Sequence, residues 1–132
     1  MKFVSLDIEN MFAYEGTCSV DLTGTQDGAR NIVLIKGRNG AGKTSLLNSA
    51  KLLFAGSQDE LLRRVGFSGS ARTDRQYVLG QPGRWFGVFN RAARRQGRNR
   101  ASVSLSWTEG DVLHRARRTF VGLKNFSAWD EQ

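Results

Sequence analysis

A glycine-rich segment, residues 37–44, has the residue types and the spacing best suited to chemistry. It reads Gly-Arg-Asn-Gly-Ala-Gly-Lys-Thr and fits the pattern G-x-x-x-x-G-K-S/T at every fixed position. Glycines allow such a loop to point its backbone N–H groups at phosphate oxygens, and the N-terminus of a following helix adds positive charge. The spacing lets Lys43 reach the β- and γ-phosphates and lets the Thr44 hydroxyl ligate Mg²⁺. The predicted phosphate-binding residues of a nucleoside triphosphate site are Gly37, Arg38, Asn39, Gly40, Ala41, Gly42, Lys43, Thr44 and Ser45.

The segments on either side of this loop have the patterns that a phosphate-binding loop requires. Residues 31–36 are an apolar run, which predicts a strand buried on both faces. After the loop, apolar residues recur at helical spacing as far as Phe54, and Gly56 is the expected end of the helix. The alternative is a strand-to-helix turn that binds nothing, but the complete match in this context favours a nucleotide site.

Two further pairs of segments predict antiparallel hairpins. Apolar and polar residues alternate in the first strand of each pair, as expected of strands with one buried face. Glu15-Gly16 and Glu109-Gly110 predict the two turns. The predicted strands are residues 3–8, 19–22, 102–107 and 112–121.

The middle of the chain, residues 57–101, is predicted to be an irregular, arginine-rich insertion. Residues 59–64 have the composition of a helical turn, and residues 85–96 have the pattern of an amphipathic helix. The arginines of this helix recur at i, i+3, i+4 and i+7, and they are Arg91, Arg94, Arg95 and Arg98. Three readings stay open for them: contact with a DNA backbone, a solvated helix face, or an interface with an acidic protein.

Charge is distributed unevenly along the 132 residues, whose formal net charge is +8. Residues 1–66 carry 8 basic and 7 acidic side chains, whereas residues 67–132 carry 12 basic and 5 acidic ones. Eleven of those 12 basic side chains are arginines, which favour bidentate contacts with phosphate or carboxylate groups. The second half therefore predicts a polyanionic partner.

Several protein classes are excluded by the composition. The single cysteine, Cys18, cannot form an internal disulfide framework or a cysteine-rich zinc site. No apolar run approaches the roughly 18 residues of a membrane span, so no membrane partner is expected. The N-terminal residues alternate like a strand and do not resemble a signal peptide, which predicts a cytoplasmic location.

The N-terminal half resembles the ABC-type ATPase heads of the SMC and RecF group. Residues 6–16 look like that group's opening pattern L-x-I-x-N-F-x-x-Y-x-G, and residues 20–22 look like its second strand. Residues 32–47 are similar to its strand, P-loop and first helix. The likeness covers residues 2–56, while residues 102–121 match only the pattern of a later hairpin. Within the group, the sequence is most similar to the DndD-type ATPases of bacterial DNA-modification and defence systems.

The resemblance implies ATP and Mg²⁺ as ligands and places Phe12, Ala13 and Tyr14 beside the base or ribose. The alternative for Phe12 and Tyr14 is that their rings simply pack the hairpin. In a full head of this group, two copies sandwich two ATP molecules, and dimerisation couples the nucleotide state to DNA engagement. The partners implied are therefore DNA and either a second head or a C-terminal lobe.

Some motifs of such a head are missing from the sequence. There is no Ser-Gly-Gly-like signature, and residues 125–131 only mimic the acidic motif that holds Mg²⁺ and polarises water. Gln132 cannot be placed as the Gln loop, and His114 lies in a strand pattern that favours a structural role. Because the binding residues are present without a water-activating acid, we expect ATP binding with poor hydrolysis.

These observations predict an α/β fold in which residues 1–132 are a single N-terminal lobe of an incomplete P-loop NTPase head. The lobe would contain an N-terminal antiparallel β-hairpin, a P-loop strand and helix in a mixed sheet, and a later β-hairpin. A stand-alone P-loop NTPase is one alternative, with Asp74, Asp111 or the pair Asp130-Glu131 as its acid. A DNA-binding module with a vestigial nucleotide site is the other.

Overall fold

Four strands and three helices make up the regular structure in the computed structural model, which describes residues 1–23, 33–38, 40, 42–58, 63 and 71–121. The strands pair in the order β2-β1-β3-β4, and every pair is antiparallel. In chain order the elements are β1 (Lys2–Met11), β2 (Tyr14–Asp21), α1 (Lys43–Ala55), α2 (Asp74–Leu79), α3 (Arg91–Arg95), β3 (Arg100–Glu109) and β4 (Val112–Val121).

The core lies on one face of this sheet, where inward-facing residues of the two central strands meet. Ile8 of β1 is opposite Val103 of β3, and Leu6 is opposite Leu105; all four side chains are buried. The opposite face is polar. Helix α1 covers the core face with Leu46, Leu52 and Leu53. The alternation in β1 and β3 therefore gives the sheet one apolar face for the helix and one polar face.

The predicted P-loop strand is wrong for the part of it that the structure describes. Residues 33–36 form no strand, and the Leu34 side chain is 75% exposed. A strand buried on both faces needs neighbouring strands and layers above and below it. Within the described part of the chain the four strands pair only with one another and not with residues 33–36, and the described sheet is antiparallel and not mixed. Residues 31 and 32 lie outside the described part.

Both hairpins are confirmed, but the first turn is displaced from its predicted position. The turn is formed by Phe12 and Ala13, while Gly16, expected in the turn, lies within β2. Asn10 and Phe12 take positive φ angles of 48° and 50°, and the pairing register shifts between Glu9 and Met11. The Asn10 side chain accepts a 2.8 Å hydrogen bond from the Gly16 N–H, which holds the bulged hairpin end together.

Helix α1 follows the glycine-rich loop, and its C-terminal end contacts the sheet. Gly56 ends α1 with a φ of 75°, and its N–H donates to the carbonyl of Leu52. The Arg118 side chain of β4 reaches this end, where its Nε donates to the carbonyl of Leu53 at 3.2 Å. A cation at a helix C-terminus interacts favourably with the exposed carbonyls, so Arg118 stabilises the docking of α1.

Within its described residues, the insertion is more regular than predicted at residues 74–79 and less regular over residues 85–96. Helix α2 begins with a capping box in which Thr73 and Gln76 each hydrogen-bond the other's backbone N–H. The helix predicted over residues 85–96 is only α3. Gly87 prevents an earlier start, because its φ is 86° and its backbone packs against the carbonyl of Val78. The helical turn predicted over residues 59–64 lies outside the described residues, apart from Arg63.

An aromatic cluster holds the insertion against the first hairpin. The Trp85 indole stacks on the Tyr77 ring with centroids 5.8 Å apart, and its N–H donates to the Tyr77 carbonyl. The Arg72 guanidinium lies 5.2 Å from the Trp85 ring centroid, and the Phe12 ring lies 6.4 Å away. Within the described part of the chain, no helix has both the length and the apolar character needed to cross a membrane.

Candidate nucleotide-binding site

Two glycines of the glycine-rich loop have left-handed backbone. Gly40 has a φ of 84° and Gly42 a φ of 100°, which residues with a Cβ atom rarely adopt. Asn39 and Ala41 lie outside the described residues. Gly37 and Arg38 are exposed. Gly40 and Gly42 therefore use the backbone freedom that the sequence predicts for them, whereas Gly37 is not among the glycines with a positive φ.

The N-terminus of α1 is open to an anion. The helix begins at Lys43, its N-cap is Gly42, and no side chain caps it. The first N–H groups of a helix have no intrahelical partners and lie at the positive end of its dipole. No acidic residue stands in the first turn, and the Lys43 and Thr44 side chains are exposed there. These features fit a phosphate group, and the exposed Thr44 hydroxyl fits a place in the coordination of Mg²⁺.

The Lys43 side chain folds back over the loop. Its Nζ donates a hydrogen bond to the carbonyl of Gly37, so that the two ends of the motif are bridged. An ammonium group held over such a loop lies where phosphate oxygens would accept its remaining protons. The contact of Lys43 with phosphate stays a prediction.

The turn of the first hairpin contacts the loop directly. The Ala13 N–H donates to the Ser45 hydroxyl at 3.3 Å, and the Tyr14 hydroxyl donates to the Gly42 carbonyl at 3.0 Å. A Cβ atom on Gly42 would lie 3.1 Å from the Tyr14 oxygen, so glycine is needed there for space as well as for φ. Burial raises the pKa of the Tyr14 phenol, with a smaller contribution from Cys18.

The structure thus brings Ala13 to Ser45 but turns Phe12 towards the insertion. The Phe12 ring packs against the core and faces Trp85. A nucleotide contact by Phe12, Ala13 or Tyr14 stays a prediction. Tyr14 is a site residue that the motif alone does not identify. Its signal is the tyrosine of the family pattern in residues 6–16, two residues before Gly16.

Asn90 connects this hairpin turn to the arginine-bearing helix α3. Its side-chain amide donates to the Phe12 carbonyl at 2.9 Å, and its Oδ1 accepts the N–H of Ala93 at 3.0 Å. The second bond caps α3. The Phe12 N–H in turn donates to the carbonyl of Val88. The insertion and the nucleotide loop are therefore attached to the same two-residue turn.

The four arginines predicted to contact DNA do not share one environment. Arg91, Arg95 and Arg98 are exposed, whereas Arg94 is only 7% exposed and its Nη1 donates to the carbonyl of Phe86. Periodicity alone could not identify Arg94 as the inward residue, because α3 has only five residues. We leave Arg94 out of any proposed surface.

The remaining sequence candidates lie away from the loop or outside the described part. His114 lies in β4, where its ring stacks on Trp107 with centroids 5.5 Å apart. Lys2 pairs with Thr108 and Glu9 with Ser102, so the turn containing Asp111 lies at the opposite end of the sheet from the Phe12–Ala13 turn. Asp74 belongs to the first turn of α2. Residues 125–132 are not described.

Comparison with known proteins matches residues 5–120 to the family described as AAA domain. None of the curated proteins matches the chain. The matched range covers most of the chain and includes the glycine-rich loop, α1 and almost all of both hairpins. The chain belongs to the AAA domain family of P-loop ATPases.

Proposed function

We propose that this chain is the ATP-binding lobe of an SMC/RecF-like ATPase that acts on DNA. The observation that carries the proposal is the phosphate-binding loop, which opens at the N-terminus of α1 and is contacted by the first hairpin through Ala13 and Tyr14. The family match supports nucleotide binding. The pattern of residues 6–16 supports the SMC/RecF-like type, and within it we propose a role in DNA repair, modification or defence.

Each loop residue has a defined task in this proposal. The backbone N–H groups at the start of α1 receive phosphate oxygens, and Lys43 exchanges the Gly37 carbonyl for the β- and γ-phosphates. Thr44 presents its hydroxyl to Mg²⁺, and the hairpin holds Ser45 in place. Bound Mg²⁺ would neutralise phosphate charge. The described residues provide binding, and hydrolysis would need an acid from elsewhere.

Exposed apolar residues support the proposal that a second lobe or a second head covers this one. Val33, Leu34 and Ile35 are all exposed in succession before the loop, and α1 exposes Leu47 and Phe54 on its outer side. Several exposed apolar side chains near one loop mark an interaction site more often than a single exposed one does. We therefore propose that dimerisation of completed heads joins ATP binding to DNA engagement.

Substitution of Lys43 tests the nucleotide part of the proposal. Lys43→Ala should abolish binding of ATP with Mg²⁺, measured by calorimetry, while far-UV circular dichroism stays unchanged. Lys51→Ala is the matched control, because Lys51 is an exposed lysine further along the same helix. Equal ATP affinity in the Lys43→Ala variant and the unaltered chain would refute the proposal.

Turnover and DNA binding separate the proposal from its alternatives. Rapid ATP hydrolysis by the purified chain would favour a stand-alone NTPase. Salt-dependent DNA binding without any ATP binding would favour a DNA-binding module with a vestigial loop. The proposed lobe should instead bind ATP, hydrolyse it slowly and bind DNA through Arg91, Arg95 and Arg98.

A further inference from the structure

One aromatic ring of the insertion is left on the surface in a position prepared for a ligand. Phe86 is 64% exposed, although Gly87, Val88 and Phe89 after it are all buried. The Arg91 guanidinium lies 4.6 Å from the centroid of the Phe86 ring, within the range of a cation–π contact. Because Arg91 covers only part of the ring, Phe86 keeps apolar surface available to a second flat group.

The backbone that carries Phe86 is held firmly. The Phe86 carbonyl accepts a hydrogen bond from Arg94 at 3.0 Å, and the Val88 N–H donates to the Val78 carbonyl at 2.9 Å. Gly87 packs so closely that a Cβ atom there would lie 2.7 Å from the Val78 oxygen. Phe86 therefore stands on a packed backbone segment. Little conformational entropy of this segment would be lost when a ligand binds to the ring.

The surroundings of this ring are cationic. The sequence has no acidic residue between Asp74 and Glu109. Arg84 precedes Phe86 by two residues and is exposed, as are Arg91 and Arg95. An exposed aromatic ring among arginines combines a stacking surface with contacts for phosphate groups, which is the combination that binds single-stranded nucleic acid.

We propose that Phe86 and Arg91 form a stacking site for an unpaired base of a single-stranded nucleic acid. The site rests on the proposed function, and it specifies the form of the polyanion that the arginines bind. In a duplex each base is stacked and paired, so the Phe86 ring cannot reach a base face without unstacking it. In a single strand every base offers a face, and the binding does not depend on sequence.

Removal of the ring and removal of the base together test the site. The probes are a fluorescein-labelled oligothymidylate, an abasic strand of equal length and a duplex of equal length, with affinities from fluorescence anisotropy. Phe86→Ala should weaken oligothymidylate binding about tenfold and leave abasic-strand binding unchanged. Phe86→Trp should retain the affinity. Phe3→Ala is the matched control, because Phe3 is an exposed phenylalanine on β1.

The possible outcomes distinguish this site from the proposed function. A loss on Phe86→Ala that is confined to strands with bases supports the stacking site. An equal loss on the abasic strand, or no loss on either strand, overturns it while DNA binding by the arginines stands. Competition by poly-L-glutamate as effective as that by oligothymidylate overturns it in favour of an acidic protein. Absence of binding to all three nucleic acids overturns both the site and the DNA part of the proposed function.

Discussion

The Tyr14 hydroxyl donates a 3.0 Å hydrogen bond to the carbonyl of Gly42, and this bond joins the first hairpin to the nucleotide loop. It acts at the residue that caps α1, where the backbone must keep a left-handed conformation. The Ala13–Ser45 hydrogen bond lies beside it. Together these two contacts set the position of the loop relative to the sheet.

Loss of the Tyr14 hydroxyl should therefore weaken nucleotide binding without unfolding the chain. Tyr14→Phe removes one hydrogen bond, which corresponds to about 0.5–1.5 kcal/mol and thus to about a two- to tenfold rise in the Kd for ATP. Calorimetric titration measures this change. Thr17→Ala, an exposed substitution elsewhere in β2, should leave the Kd unaltered. An unaltered Kd for Tyr14→Phe would show that the bond does not organise the loop.

Two glycines of the loop should respond differently to alanine. Both have positive φ angles, but a Cβ on Gly42 meets the Tyr14 hydroxyl, whereas no atom of the described part of the chain lies within 4 Å of a Cβ on Gly40. Gly40→Ala should lower the free energy of unfolding by about 1–2 kcal/mol through backbone strain alone. Gly42→Ala should lower it further, because the tyrosine must also move. Urea unfolding compares the two variants, and equal losses would contradict the role of the close contact.

The contact between Arg118 and the end of α1 should contribute measurably to stability. Arg118→Ala removes the hydrogen bond to Leu53 and the positive charge near the helix C-terminus, a loss of about 1–3 kcal/mol in the free energy of unfolding. Arg117→Ala, on the exposed face of the same strand, should change it by less than about 0.5 kcal/mol. Similar effects of the two substitutions in urea unfolding would show that Arg118 contributes only as a surface charge.

Alkaline pH should destabilise the fold through Tyr77. Burial raises the pKa of this phenol, an effect partly offset by the charge of Arg72. A group whose pKa is higher in the folded state contributes stability below its unfolded pKa, and that contribution is lost as the pH rises through the folded pKa. The free energy of unfolding should therefore fall above about pH 10. Tyr77→Phe should make this fall shallower, and an identical pH profile in the variant would refute the assignment.

The sequence patterns that were correctly interpreted are those set by local geometry. Alternation in β3 and β4 predicted the second hairpin with its turn at Gly110, and helical periodicity predicted α1 up to Gly56. The capping box of α2 could also have been found, since Thr73 and Gln76 stand at the required spacing. These features depend on residues close together in the chain, and so they can be predicted from a single sequence.

Other features depend on what surrounds a segment, and the sequence does not contain that information. The apolar run of residues 31–36 indicates that these side chains favour burial. It does not show whether neighbouring strands are present to bury them. The first turn lies at Phe12 and Ala13 and not at Glu15-Gly16, because Asn10 and Phe12 adopt positive φ angles. Neither residue is glycine, so the sequence does not indicate these conformations. Arg94 is buried because the Phe86 backbone supplies an acceptor, which no periodicity reveals.

The central pairing of β1 with β3 has a consequence for biosynthesis. Lys2, at the start of β1, pairs with Thr108, near the end of β3. A ribosome must therefore release the residues up to the end of β3 before β1 can pair with β3. Until then one edge of β1 in the first hairpin stays unpaired, and such an edge can pair with another chain and cause aggregation. Slower translation would prolong this state, so soluble yield should depend on chaperones that shield that edge.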